Sequence, residues 1–275
     1  MKPNTGVLTR TAPAMAAVLT LFAASACSSS GHPSSAAGSS TPATSSTSAP
    51  ALSGTIEVFA ASSLQEAFTT LGQSFEQAHP GVSVKFNFGA SSALAQQINQ
   101  GAPADVFASA SPKNMTQVVQ AKHASSSQNF VKNVMEIAVP PSNPGQVQSV
   151  ADLARSGVKV ALCQPQVPCG ATANAVFANA KITVHPVTLE PDVKSTLSKV
   201  ELGAVDAGVV YVTDVRAAGS KVKGIEIPAA TNASTEYPIA ALTSASNSAG
   251  AQAFVAYVLS DAGRAVLTAD GFEQP

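Results

Sequence analysis

The chain has 275 residues, of which 45% are hydrophobic and only 11% are charged, and its formal net charge at pH 7 is −1. With 15 Lys and Arg against 16 Asp and Glu, the balance gives no electrostatic reason to expect nucleic acid as a partner. It gives none for an anionic membrane surface either.

Residues 1–26 predict a secretory signal peptide. Lys2 and Arg10 make the start basic, an apolar stretch covers 14–24, and small residues lead to Cys27. The stretch is too short for a membrane-spanning helix, and removing the signal changes the net charge from −1 to −3.

The segment around Cys27 resembles a bacterial lipobox, in which the cysteine is lipidated, although Ala24 stands where leucine is commonest. A plain cleavage site with a spectator cysteine is the alternative. Residues 27–53 are almost entirely Ser, Thr, Ala, Pro and Gly without charged or aromatic residues, which predicts a flexible tether. Its reach is about 25–30 Å, enough to hold a folded body off a membrane.

From residue 54 onward, strand-like and helix-like segments alternate, which predicts an α/β fold with parallel strands. The expected strands are 55–60, 82–87, 104–108, 134–139, 158–162, 182–187, 207–211, 224–227 and 237–243. The expected helices are 64–78, 92–100, 112–121, 149–155, 171–180, 192–202, 213–218, 248–259 and 261–270.

Two serine turns follow the first two strands. Ser62 and Ser63 precede one helical segment, and Ser91 and Ser92 precede the next. A serine there can cap the helix, and its hydroxyl then lies among unpaired backbone N–H groups at the positive end of the helix dipole. Two such turns directed at one point form an anion site without a charged side chain. The alternative is that both serines are only caps.

Three further loops follow strands, at the edge where open α/β sheets bind ligands. The loops 167–170 and 190–193 present backbone N–H groups at helix starts, and Tyr211 ends an apolar strand with a phenol. A turn, a proline-initiated helix and a core tyrosine are the alternatives when each is taken singly. Five donor loops at strand ends together favour a binding site.

The remaining cysteines, Cys163 and Cys169, lie six positions apart in a chain expected to enter an oxidising compartment. A small-loop disulfide is therefore predicted, with a free buried pair as the alternative. No nearby His or second cysteine pair completes a zinc site, and neither a metal nor a cofactor is expected.

Three blocks of sequence resemble the periplasmic molybdate-binding proteins of ABC importers, and the resemblance covers most of 54–275. They are Val58-Phe59-Ala60-Ala61-Ser62-Ser63-Leu64, Gly89-Ala90-Ser91-Ser92-Ala93-Leu94-Ala95-Gln96-Gln97-Ile98 and Gly101-Ala102-Pro103-Ala104-Asp105-Val106-Phe107.

The resemblance implies an oxyanion ligand set. Ser63 and Ser91 would each give a hydroxyl and a backbone N–H, Cys169 and Val193 a backbone N–H, and Tyr211 its hydroxyl. Ser92 is the alternative to Ser91, and the family often has alanine where this chain has Cys169.

The resemblance also implies a type II periplasmic-binding-protein fold with the ligand between two lobes. The first lobe would comprise 54–133 and 237–275, and the second 134–236. The implied partners are an ABC permease and its ATPase, with the membrane reached only through lipid at Cys27 and the protein expected to be a monomer.

A site made only of donors suits a dianion that carries no proton. This favours molybdate, tungstate or sulfate over phosphate, which keeps a proton over much of the neutral range. A receptor for sulfate, another small oxyanion or an organic acid is the main alternative. A secreted hydrolase is disfavoured because no Gly-x-Ser-x-Gly motif occurs, and no catalysis is expected. A lipoprotein that signals or adheres instead of transporting is a third reading.

Overall fold

The computed structural model describes residues 51–275. The predicted signal peptide, the lipidation site at Cys27 and all but the last three residues of the predicted tether lie outside the described residues.

Eight α-helices and nine strands make up the described part of the chain. The helices are α1 Gln65–Ala78, α2 Ser91–Asn99, α3 Pro112–Gln120, α4 Pro168–Ala180, α5 Val193–Glu201, α6 Val212–Ala218, α7 Ser248–Leu259 and α8 Asp261–Ala269. The strands are β1 Gly54–Ala61, β2 Val82–Gly89, β3 Val106–Ala108, β4 Gln128–Val139, β5 Val160–Cys163, β6 Thr188–Glu190, β7 Ala207–Tyr211, β8 Lys223–Glu226 and β9 Ser234–Ala241. Within residues 51–275, no helix has the length and apolar character needed to cross a membrane.

The strands form one mixed sheet in the order β2-β1-β3-β9-β4-β7-β5-β6, with β8 also paired to β4. At the two ends of this order the pairs are parallel, as the alternating pattern predicted: β1 with β2 and β3, and β5 with β6 and β7. In the middle they are antiparallel, because β4 and β9 run against their neighbours. The predicted α/β fold with parallel strands is thus confirmed at the two ends of the sheet, whereas the pattern did not indicate its antiparallel centre.

The long strands β4 and β9 link two separately packed parts of the molecule. The first part of β4 pairs with β9, and its last residues, Met135–Val139, pair with β7 and β8. One core cluster is drawn only from residues 135–227, whereas the other two are drawn from 56–131 and 237–272. We call the second set the first lobe and the 135–227 set the second lobe. The change of lobe expected near 133 and 237 falls within β4 and β9.

Aromatic side chains fill much of the first-lobe core. Phe254 of α7 is fully buried, and its ring centroid lies 5.4 Å from that of Phe75, 6.2 Å from that of Phe68 and 6.3 Å from that of Phe86. Two of these pairs are edge-to-face, an arrangement that adds to the free energy of burial. The aromatic cluster thus joins α1, β2 and α7 into one unit.

Two expected elements differ in the structure. No strand forms over 182–187: Lys181 ends α4 in the left-handed conformation, and Pro186 has no N–H to give to a ladder. Pairing with β5 begins only at Thr188. The helix expected over 149–155 is a 3-10 turn, Val150–Ala154, closed by a capping box between Ser149 and Asp152.

We predict that Phe254→Ala lowers the free energy of unfolding by about 3–5 kcal/mol, because it empties a fully buried aromatic site. Leu202→Ala is the matched control: Leu202 is 78% exposed, and its loss should change stability by less than about 0.5 kcal/mol. Urea unfolding of the three proteins measures both values. Equal losses in the two variants would contradict the role of Phe254 in the core.

Candidate functional site

One small cavity lies where several strands end and the following helices begin. A water-sized probe has only about 10 Å³ of room in it, far less than the roughly 300–1,000 Å³ of sites for drug-sized molecules. Both lobes contribute to its wall, and all five residues predicted as ligands line it. The complete lining is Ala61, Ser62, Ser63, Gly89, Ser91, Ala110, Pro168, Cys169, Asp192, Val193 and Tyr211.

Ser63 and Ser91 line the cavity from the first lobe, and both are buried. The Ser63 Oγ lies 2.8 Å from the Tyr237 hydroxyl, and the Ser91 Oγ accepts a hydrogen bond from the Ala110 N–H at 2.9 Å. Because Ser91 Oγ is an acceptor in that bond, its own hydrogen remains available for another partner. Ser92 does not line the cavity but faces a separate groove between α2 and α3.

Neither serine caps its helix. The N-cap positions of the 3-10 turn Ser62–Leu64 and of α2 are Ala61 and Ala90, and no side-chain cap hydrogen bond forms at either. The reading of these serines as caps is therefore wrong. Their hydroxyls lie one or two residues inside the turn, next to the backbone N–H groups that have no acceptor within the helix.

Cys169 and Val193 bring backbone N–H groups from the second lobe. Val193 is the first residue of α5 and Cys169 the second residue of α4, after Pro168. The helical hydrogen bonds start only later, with Ala171 N–H in α4 and Thr196 N–H in α5. The N–H groups of Cys169 and Val193 therefore precede the first ladder bonds and can serve a ligand.

Tyr211, the last residue of β7, is buried, and its hydroxyl has no hydrogen-bond partner in the described part of the chain. The hydroxyls of Thr172 and Tyr237 are its neighbours, but neither makes a hydrogen bond of standard geometry with it. Burial, assisted by the nearby Asp214, raises the pKa of the Tyr211 phenol. The group is thus a neutral donor at physiological pH, and leaving it unpaired costs about 1–3 kcal/mol.

The cavity contains one charged residue that the sequence interpretation left out. Asp192 is in its lining, but its Oδ1 accepts the Ser195 N–H at 2.8 Å as the N-cap of α5. An aspartate directly before a helical segment was the available signal. Among the lining residues there is no Lys, Arg or His. Favourable charge for an anion therefore comes from helix N-termini, each equivalent to about half a positive charge.

A disulfide joins Cys163 at the end of β5 to Cys169 in the cavity wall, with 5.8 Å between the Cα atoms. Gly170 follows directly, and a side chain there would collide with the Gln164 carbonyl. The disulfide and this close approach fix the loop that carries the Cys169 N–H.

Asp105, although part of the resembling sequence blocks, has a structural role. Its carboxylate accepts the Glu57 N–H at 2.8 Å, the Ser246 hydroxyl at 3.0 Å and the Asn247 N–H at 3.2 Å. These bonds tie β1 to the start of α7 and leave Asp105 outside the cavity lining.

Two α/β lobes with a donor-lined cavity between them define a ligand-binding protein of the two-lobed periplasmic type. The model of the bacterial extracellular solute-binding protein family matches residues 56–273, and the chain belongs to that family. It is 43% identical over 241 residues to the molybdate-binding protein ModA of Mycobacterium tuberculosis (strain ATCC 25618 / H37Rv). That match covers 87% of this chain and 92% of the relative.

Two solved structures show the same fold. The periplasmic molybdate-binding protein of Azotobacter vinelandii matches with a TM-score of 0.71 at 22% identity, over 80% of this chain and 99% of that one. The sulfate-binding protein SubI of Mycobacterium tuberculosis H37Rv matches with a TM-score of 0.73 at 17% identity, over 80% and 86%. At these identities the two likenesses establish the fold and leave the ligand to the chemistry of the site.

We predict that replacing both cysteines (Cys163→Ala with Cys169→Ala) lowers the free energy of unfolding by about 2 kcal/mol, the chain-entropy value for so short a loop. Molybdate, the ligand expected from the resemblance, should still bind, because position 169 offers a backbone N–H and not its sulfur. Urea unfolding and an equilibrium titration measure the two effects. Wild-type protein treated with a reductant is the control and should lose the same stability. An unchanged free energy of unfolding would contradict a stabilising disulfide.

Proposed function

We propose that this protein captures molybdate outside the cytoplasm and delivers it to an ABC permease. One observation carries the proposal: donors from both lobes line one small cavity that has no side-chain cation. The single carboxylate in the lining, Asp192, already accepts a hydrogen bond from its own helix. The relative that is 43% identical is a molybdate-binding protein, which supports the same ligand.

The donor set suits an anion without protons. Molybdate at neutral pH is a dianion that only accepts hydrogen bonds, and tungstate has the same form, so we propose that both bind. Phosphate keeps a proton over much of the neutral range and would need an acceptor, and the one carboxylate in the lining, Asp192, is engaged as the N-cap of α5. The helix N-termini offset the two negative charges without placing a lysine or arginine against the ligand.

Sulfate is the second candidate, because it has the same charge and the fold is shared with a sulfate-binding protein. Selection between the two dianions then depends on size. A rigid cavity fitted to the larger anion leaves longer and weaker hydrogen bonds around the smaller one. The disulfide beside Cys169 supports such rigidity.

The remaining parts of the proposal concern location and partners. A lipid on Cys27 would anchor the chain to the cell membrane, and the tether over residues 27–53 would carry the two lobes. A monomer would then hand the anion to a permease driven by its ATPase. The protein would bind and release the anion without chemical change and would not act as an enzyme.

A thermal-shift series tests the ligand. The purified protein is heated with molybdate, tungstate, sulfate or phosphate at equal concentrations. A ligand at 100 times its Kd adds about 2.7 kcal/mol to stability, which raises the Tm by about 5–10 °C for a chain of this size. We expect shifts with molybdate and tungstate and none with sulfate or phosphate. A shift with sulfate alone, or with none of the four, would contradict the proposal.

We also predict that Tyr211→Phe weakens binding without lowering stability. Removing the hydroxyl takes away a donor to a charged ligand, worth about 1.5–3 kcal/mol, so the Kd for molybdate should rise about 10- to 150-fold. The ligand-free protein should lose no stability, since the deleted hydroxyl has no hydrogen-bond partner among residues 51–275. Calorimetric titration and thermal unfolding measure the two quantities.

Tyr257→Phe is the matched control, because it removes a phenol hydroxyl from α7, outside the cavity lining. It should leave the Kd unchanged. If Tyr211→Phe also bound molybdate with the wild-type Kd, Tyr211 would be a core residue and not a ligand.

A further inference from the structure

Lys194 lies directly after Val193, whose N–H is a candidate ligand donor, and connects the two lobes. Its Nζ donates to both carboxylate oxygens of Glu66, at 2.7 and 2.9 Å. Glu66 belongs to α1 of the first lobe, whereas Lys194 belongs to α5 of the second. The Lys194 side chain is 20% exposed and that of Glu66 is 45% exposed, so the pair is partly shielded from bulk water and remains sensitive to salt.

The same Lys194 ammonium faces Asp214, which is completely buried in the second lobe. Its Nζ lies 3.1 Å from the Asp214 Oδ1, although the angle is not that of a standard hydrogen bond. The other oxygen, Oδ2, accepts the Tyr211 N–H at 3.1 Å. Burial raises the pKa of Asp214, and Lys194, its ion-pair partner within residues 51–275, opposes that rise.

We propose that Lys194 is a positioning residue that couples anion binding to closure of the two lobes. This inference rests on the proposed function. Through Asp214 it supports the backbone at Tyr211, and through its own helix it supports the N-terminus that carries Val193. Through Glu66 it fastens both of these second-lobe donors against the first lobe.

The coupling follows from geometry. The anion and the Glu66–Lys194 ion pair each join the same two lobes, so both favour the same closed arrangement. An interaction present only in the binding-competent arrangement raises ligand affinity by raising the population of that arrangement. When the lobes separate, Glu66 loses its partner, whereas Lys194 keeps Asp214 within its own lobe.

Two other charged residues, Arg216 and Asp270, lie near the Glu66–Lys194 ion pair. Arg216 of α6 makes a second contact between the lobes, donating to the Ala269 carbonyl at 3.0 Å. Asp270, in the first lobe, lies near Glu66, Arg216 and Lys194, and one of its carboxylate oxygens has no hydrogen-bond partner in the described chain. Arg216 makes no ion pair with Glu66 within residues 51–275, and Asp270, itself a carboxylate, adds only negative charge beside Glu66.

A double-mutant cycle tests the coupling. Glu66→Gln, Lys194→Gln and the double variant are titrated with molybdate at low and high salt. We expect Glu66→Gln to raise the Kd about 3- to 10-fold, mainly through faster release, and this loss should shrink at high salt. Lys194→Gln should have the larger effect, because it also leaves Asp214 unpaired. Adding Glu66→Gln to Lys194→Gln should then cause no further loss.

Lys199→Gln is the matched control. Lys199 also belongs to α5, but its ion-pair partner, Glu190, lies 3.8 Å away within the same lobe. This variant should bind molybdate like the wild type. An unchanged Kd for Glu66→Gln, or additive effects of Glu66→Gln and Lys194→Gln, would overturn the proposal.

A second readout needs no bound anion and separates this proposal from the proposed function. Spin labels at Gln120→Cys in α3 and Asn174→Cys in α4 report the distance between the lobes in the ligand-free protein. Glu66→Gln should increase the population of long distances, and Lys199→Gln should not. If the wild type bound none of the four oxyanions, the proposed function would fail, and this measurement would still decide the role of Lys194. An unchanged distribution in Glu66→Gln would overturn it.

Discussion

The backbone N–H groups in the first turn of a helix have no acceptor inside that helix, and the candidate site depends on this constraint. The turn before α1 and the starts of α2, α4 and α5 all reach one cavity wall, two of them from each lobe. In a small cavity without cations, these groups are the main source of positive potential. The sheet, with the long strands β4 and β9 at its centre, determines where they meet.

The site contains a buried polar group without a hydrogen-bond partner among residues 51–275, and a fold shaped by stability alone would not leave such a group unpaired. The Tyr211 hydroxyl is buried without a hydrogen-bond partner in the described residues, while its neighbour Tyr237 is bonded to Ser63. A fold selected only for stability would place phenylalanine at position 211, since an unpaired buried hydroxyl is costly. Retaining the hydroxyl is consistent with a ligand that supplies the missing acceptor.

Much of this arrangement could be predicted from the sequence, because the informative signals are local. Strand-like runs followed by Ser63, Ser91 and Tyr211 predict donors at strand ends, and the structure places all three in one cavity. The bond between Ser63 and Tyr237 joins residues 174 positions apart, and no local pattern predicts it.

Long-range pairing also explains where the predictions from sequence differ from the structure. The antiparallel centre of the sheet depends on which strands pair with each other, and these strands are far apart in the sequence. The exposure over 182–187 alternates as in a strand, yet no ladder forms there. The role of Lys194 follows only from the contact of α5 with Glu66 in the other lobe. A charged residue next to a helix start is compatible with several roles at the protein surface, and only the tertiary structure distinguishes among these roles.

The shared fold does not by itself decide which dianion binds, since a sulfate-binding and a molybdate-binding protein match it equally well. Charge does not decide it either, because both ligands are dianions. Selection between the two anions therefore depends on the spacing of the donors. A difference in anion size affects binding only if the cavity wall cannot contract around the smaller anion. The loop carrying Cys169 is held by its disulfide and by the close approach of Gly170 to Gln164, while the α5 start is held by its cap at Asp192 and by Lys194. Under the proposed function, these restraints on the second-lobe donors are what would let the cavity select an anion by size.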